Sequence, residues 1–251
     1  MSFPPDSPLV DDISPSPNHE PRKGVARPDI LLLHYTGMKT TQDALERLCD
    51  PGPRVSSHYL VFEDGRVHQL VPEARRAYHA GESSWEGTTD INSRSVGIEI
   101  GNQGHDYGCP AFPDAQIERV IALCSDIVAR WSIAPCRVLA HSDVAPKRKR
   151  DPGEAFPWRR LAEAGVGAFV EPASIEGGPV LRPDDHGAEV GRLQRMLAAY
   201  GYGVSESGSY DATTHEVVTA FQRHFRPARV DGIADVSTVK TLEQLFARRM
   251  G

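Results

Sequence analysis

Apolar positions recur with two different periods along this chain. Residues 30–33, Ile-Leu-Leu-Leu, form an unbroken apolar run, the pattern of a strand covered on both faces. Tyr59 to Phe62 lead into Asp64-Gly65, and Val67 to Val71 alternate after it. That spacing predicts a hairpin closed by an Asp-Gly turn. Val96 to Ile100 and Arg137 to Ala140 are further strands. Between them Ile117, Val120, Ile121, Cys124, Ile127, Val128 and Trp131 repeat at helical spacing, with Asp114 as candidate N-cap. A shorter helix begins near Thr40 or Thr41 and carries Ala44, Leu45 and Leu48. Strands interleaved with helices predict an α/β fold, a mixed central β-sheet flanked by helices.

After residue 186 the pattern is helical only. Val190, Leu193 and Leu197 make one face, ended by Gly201. Val217, Val218, Phe221 and Phe225 make a second, capped by Asp211; Val239, Leu242, Leu245 and Phe246 make a third, capped by Ser237. These predict a small C-terminal three-helix bundle with its own core. Gly177-Gly178-Pro179 marks a linker before it, and the Pro-, Ser- and Asp-rich start reads as a mobile or extended tail. The expected division is a tail at 1–24, a larger domain at 25–168, a linker at 169–185 and the bundle at 186–251.

Composition changes this picture little. Hydrophobic residues make up 39% and charged residues 25%, which suits packed cores. The net charge of −6 argues against nucleic acid or an anionic membrane as partner. Four cysteines, Cys49, Cys109, Cys124 and Cys136, show no CxxC spacing. They read as free thiols of a reducing compartment, with two disulfides as the alternative. Residues 1–24 hold no apolar segment of the kind that directs secretion, and no run suffices to span a bilayer. A cytoplasmic location is therefore expected.

Candidate chemistry sits where strands end. His34 follows the run 30–33, His141 follows Val138-Leu139-Ala140, and Asp151 lies in Lys149-Arg150-Asp151-Pro152-Gly153. Two imidazoles and a carboxylate can hold zinc and leave a position open for water; the same set also suits non-haem iron. Glu99 interrupts the apolar strand 96–100. It marks either the wet face of an edge strand or a general base aimed into a cleft. Lys149, two positions before Asp151, would share its direction in an extended segment. It is either an oxyanion partner or a solvated loop lysine. His186, His215 and His224 carry no ligand pattern and are expected in ordinary surface roles.

The segments LLLHYTGM, SSHYLVFEDGRVHQLVPE, AYHAGESSW, SVGIEIGN and LAHSDVAPKRKRDPG occur in this order. Together they resemble the type 2 family of N-acetylmuramoyl-L-alanine amidases, which includes phage lysozyme-like amidases and peptidoglycan-recognition proteins. The resemblance covers roughly residues 25–165. It implies one zinc ion on His34, His141 and Asp151, with Glu99 and Lys149 as catalytic residues. It also implies a substrate groove lined by His79 and Trp85, and a muropeptide or peptidoglycan substrate. His58, His68 and His105 match no motif role and are expected to be structural or exposed. The segment from Gly187 to Asp231-Gly232 resembles a three-helix peptidoglycan-binding module, with Ala234 where that pattern usually has Gly. Such a module favours the periplasm as the alternative location, and intact wall as the alternative substrate.

Overall fold

The computed structural model describes residues 3–250. The apolar run at 30–33 becomes the centre of strand β3 (Ile30–Tyr35), and all four residues are at most 1% exposed. Its neighbours are β7 (Ser95–Ile100) and β8 (Val138–Ala140), both parallel to it. Beyond β7 lie β4 (Tyr59–Val61), β5 (Val67–Gln69) and β1 (Asp12–Ile13), giving the order β1-β5-β4-β7-β3-β8. The expected hairpin is the antiparallel β4–β5 pair, and the other pairings in this sheet are parallel, so the sheet is mixed. A second, two-stranded sheet joins β2 (His19–Pro21) to β6 (Arg75–Ala77).

Alternation along the strands assigns the two faces. Leu31, Leu33, Val96, Ile98 and Ile100 pack with Ile117, Val120, Leu123, Cys124 and Ile127 of helix α3 (Asp114–Trp131). Ile30, Leu32 and Leu139 point the other way, into a cluster shared with the C-terminal helices. Leu60 on that same side packs with Leu48 of helix α1 (Thr41–Cys49). Two short helices, α2 (Ile91–Arg94) and α4 (His141–Val144), lead into β7 and out of β8. A third, α5 (Trp158–Glu163), ends the larger domain. The bundle comprises α6 (Ala188–Tyr200), α7 (Ala212–Phe225) and α8 (Val236–Met250).

Several expectations are corrected. The start of the chain is no mobile tail over its described residues. Strand β1 pairs with β5, and β2 with β6. Arg22 donates from Nη1 to the carbonyls of Ser93 (2.8 Å) and Ser95 (3.0 Å), and from Nε to that of Glu73 (3.0 Å). The Asn18 amide donates to the carbonyls of Asp50 and Val55. Polar composition misled here because this segment is held by strand pairing and side chain–backbone hydrogen bonds, with Leu9 and Val10 packed against the main core. Glu99 lies on a central strand, so the edge-strand reading fails. Asp114 opens α3 instead of capping it. In α8 the cap is Asp235, whose Oδ1 accepts from the Thr238 N–H at 2.7 Å; Ser237 donates instead to the carbonyl of Ala173.

The bundle does not hang from a free tether. Leu181 of the expected linker exchanges backbone hydrogen bonds with Ala234. Trp85, Ile91, Leu139 and Val144 share one apolar cluster with Leu197, Tyr200, Tyr202 and Phe221. The Trp85 ring meets Tyr202 edge-on, with centroids 5.0 Å apart, and Gly201 makes room for it. A Cβ at residue 201, where φ is +139°, would sit 2.4 Å from the indole. His224, expected at the surface, is 2% exposed. It is stacked between Trp158 (3.7 Å) and Phe225 (3.8 Å).

Two substitutions test this packing. Arg22→Ala should cost about 2–3 kcal/mol, since it strips charged donors from buried carbonyls; a mobile tail would lose nothing. Trp85→Ala should cost about 3–5 kcal/mol through the cavity it leaves. Thermal unfolding reads both, at roughly 2–4 °C per kcal/mol for a chain of this size.

Candidate metal centre and active-site cleft

Parallel strands present their carboxyl ends at one edge of a sheet, where open α/β folds place their ligand sites. In the β3–β7 pair, His34 stands opposite Glu99. In the β3–β8 pair, Leu33 stands opposite Ala140, so His34 and His141 are each the next residue outward. The chain then returns: the Ser142 N–H donates to the carbonyl of Asp151 at 3.0 Å, which brings Asp151 back beside His141. The result is a triangle of ligand atoms. His34 Nδ1 lies 2.9 Å from His141 Nδ1 and 3.1 Å from Asp151 Oδ2, and His141 Nδ1 lies 2.9 Å from that same oxygen. All three residues are buried. Among the described residues this is the group of His, Cys, Asp and Glu side chains arranged to hold a metal ion.

The outward-facing ring nitrogens fix the protons. His141 Nε2 is 3.0 Å from the Ala80 carbonyl, an acceptor only, so Nε2 carries a hydrogen and in the neutral ring the lone pair is on Nδ1. For His34 the same conclusion follows through a chain. The Ser95 hydroxyl donates to the Ile91 carbonyl at 2.7 Å, so its oxygen is left to accept from His79 Nε2 at 3.3 Å. His79 Nδ1 is then an acceptor for His34 Nε2–H at 3.0 Å. Burial, with the neighbouring His141 adding to it, pushes the His34 pKa down to about 4, which keeps that ring neutral near pH 7. Two imidazole lone pairs and a carboxylate oxygen therefore face one point. Without a cation that arrangement is repulsive; with zinc it is a three-ligand site whose outer N–H groups are already oriented.

Gly97 is what lets His79 reach His34. A Cβ at residue 97 would lie 2.6 Å from the His79 ring. His79 borders the cleft, but both of its nitrogens are engaged, so it orients His34 and has no hydrogen bond to spare for a substrate. Trp85 does not line the cleft at all; it is 1% exposed within the interface with the bundle. The groove role expected for it is therefore corrected: an indole in a polar loop found a buried partner surface in the bundle. His58 is structural, its Nδ1 accepting from the Gly97 N–H at 2.9 Å.

The cleft measures about 450 Å³ and is bordered by His34, His141, Asp151, Glu99 and Lys149 together. Arg47, Arg148 and Arg150 also reach its wall. Glu99 is level with His34, its Oε2 is shielded, and that oxygen has no hydrogen-bond partner. Burial, reinforced by the nearby Asp151, raises the Glu99 pKa well above the ordinary carboxylate range, and Lys149 opposes this only in part. A carboxylate raised in this way is matched to proton transfer near neutral pH. Tyr35 is a cleft residue that the sequence did not single out. Its hydroxyl lies 2.9 Å from His105 Nδ1, and His105 Nε2 lies 2.9 Å from Glu154 Oε2. A tyrosine directly after His34 was the only available signal.

Comparison with known proteins places this geometry. Residues 24–154 match the family model described as N-acetylmuramoyl-L-alanine amidase, and residues 186–242 match a putative peptidoglycan binding domain. The chain is 40% identical over 235 residues to the N-acetylmuramoyl-L-alanine amidase AmiD of Escherichia coli, covering 87% of this chain and 82% of that protein. It is 34% identical over 164 residues to the 1,6-anhydro-N-acetylmuramyl-L-alanine amidase AmpD of Enterobacter cloacae, covering 59% and 86%. Among solved structures, E. coli AmiD in complex with the substrate anhydro-N-acetylmuramic acid-L-Ala-D-gamma-Glu-L-Lys superposes with a TM-score of 0.77 at 37% identity, covering 91% of this chain and 92% of that one. AmpDh3 of Pseudomonas aeruginosa in complex with anhydromuramic pentapeptide gives 0.73 at 28%, covering 93% and 97%. On the extent of these matches, the chain belongs to the N-acetylmuramoyl-L-alanine amidase family.

Proposed function

We propose that this chain is a zinc-dependent amidase of cell-wall recycling. It hydrolyses the amide between the lactyl group of 1,6-anhydro-N-acetylmuramic acid and L-alanine. The observation that carries the proposal is the triangle of His34, His141 and Asp151 with Glu99 and Lys149 on the wall of the same cleft. Zinc held by those three side chains would supply Lewis acidity and lower the pKa of water toward ~7. Glu99 takes the proton of the attacking water on its carboxylate. Water oxygen bonds to the lactyl carbonyl carbon, and the Lys149 ammonium stabilises the negative charge that develops on the carbonyl oxygen. Glu99 then delivers its proton to the alanine nitrogen as the C–N bond breaks, leaving a free stem peptide and a muramic carboxylic acid that loses its remaining proton to solvent at neutral pH. Arg47, Arg148 and Arg150 give the cleft wall a positive character that suits the carboxylates of a stem peptide.

The anhydro form is favoured because both solved relatives named above hold anhydro-muramyl peptides. A cytoplasmic location is supported by the four unpaired cysteines, of which Cys49, Cys109 and Cys136 are only half buried. No helix among the described residues is long and apolar enough to cross a membrane.

The mechanism makes three measurable demands. Purified protein should contain about one zinc per chain, and Asp151→Ala should lower occupancy and abolish hydrolysis, because a three-ligand site has no ligand to spare. Glu99→Gln and Lys149→Met should each lower kcat by about two orders of magnitude with zinc retained. In the wild type, kcat/KM should fall as pH drops through a value above the ordinary carboxylate range, where Glu99 gains its proton, and Glu99→Gln should lack that limb. Substrate form is read by mass spectrometry of parallel digests: purified anhydro-muropeptide should be cleaved faster than intact sacculi. Faster release from sacculi would make the wall itself the substrate. Recovery of the protein chiefly from the periplasm on cell fractionation would overturn the assigned compartment.

A further inference from the structure

Two adjacent residues of α7 reach across the interface to the two ends of the loop that carries His141 and Asp151. His224 Nδ1 lies 2.7 Å from Asp143 Oδ2. The Tyr202 hydroxyl, also from the bundle, donates to Asp143 Oδ1 at 2.7 Å. Asp143 is two residues beyond His141 and has no exposed side-chain surface. Its Oδ2 also accepts from the Ala140 N–H at 2.8 Å, closing the single turn of α4 that begins at His141. At the other end, Arg223 Nε donates to Glu154 Oε2 at 3.2 Å. Glu154 follows Asp151 by three positions and holds His105, which in turn contacts Tyr35 next to His34.

We infer that the C-terminal module is a positioning device for the metal ligands. Tyr202 and His224, acting through Asp143, hold the turn that aims His141 at the metal, and Arg223, acting through Glu154, steadies the Asp151 end. The physical reason lies in what Asp143 must satisfy. A buried carboxylate needs its donors, and here two of the three side-chain and backbone donors it has come from the other domain. Four residues of helix cannot hold a ligand in place by their own stability. The Trp158 and Phe225 rings clamp His224 and leave it one orientation. A module that served only to grip wall material would need no buried polar contact with the catalytic turn. This inference rests on the metal-site reading above.

The test uses full-length protein. Zinc affinity is measured by competition with a chelator, and ligand geometry by the visible spectrum of the cobalt-substituted form. Tyr202→Phe, which removes one oxygen, and His224→Phe should each weaken zinc binding roughly tenfold and alter the cobalt bands. His224→Asn, which keeps a donor near the Nδ1 position, should restore both toward wild type. Val217→Ala, which loosens the core of the bundle without touching Asp143, should lower the melting temperature and leave zinc affinity unchanged. Wild-type affinity and spectrum in both phenylalanine variants would overturn the inference, as would equal weakening by Val217→Ala. Wild-type protein that binds no zinc would overturn the metal-site reading itself, a separate and distinguishable result.

Discussion

Two imidazoles and a carboxylate must show their lone pairs to a common point, and that demand orders much of the rest of the molecule. A neutral ring is required at His34, and burial supplies it. A single tautomer is required, and it is set by what each outer nitrogen meets: the Ala80 carbonyl for His141, and the His79–Ser95–Ile91 chain for His34. The chain works only because Gly97 leaves room for an imidazole above β7. The parallel strands β3, β7 and β8 bring His34, His141 and Glu99 to one edge, and the return of the chain sets Asp151 beside them.

The central part of this arrangement was legible in the sequence. An apolar run ending in His, a second strand ending in His, and a Lys-x-Asp-Pro-Gly segment marked the candidates, and the family resemblance chose among their alternative roles. Glu99 stood out because a carboxylate inside an apolar strand needs a reason. Covalent spacing carries such signals well, because each depends on its own short segment. What was not legible depends on partners far along the chain. Nothing near Trp85 says that an indole there will meet Tyr202, and nothing near His224 says that it will be enclosed by Trp158 and Phe225. The start of the chain was misread for a related reason. Its polar side chains find backbone carbonyls rather than water, and composition cannot tell those two fates apart.

The boundary between the domains was readable from glycine and proline, but not its closeness. Residues on both sides of it fill one apolar cluster, and the cleft occupies the same face of the sheet just beyond that cluster. The larger domain and the C-terminal bundle therefore share walls as well as a tether.

The order of the strands has a consequence for how the molecule comes into being. Strand β3 lies between β7 and β8, both of which follow it in the chain. His34 and Asp151 are separated by 117 residues, and Asp143 and His224 by another 81. A chain made from its amino end thus displays His34 without the other two members of its triangle until His141 and Asp151 have been made. The set of His34, His141 and Asp151 is complete only at residue 151, and the turn bearing His141 receives its contact from His224 later still. Any ion held by this triangle would therefore be captured only after strands β3, β7 and β8 have all been made, so that occupancy would report on a sheet already able to close.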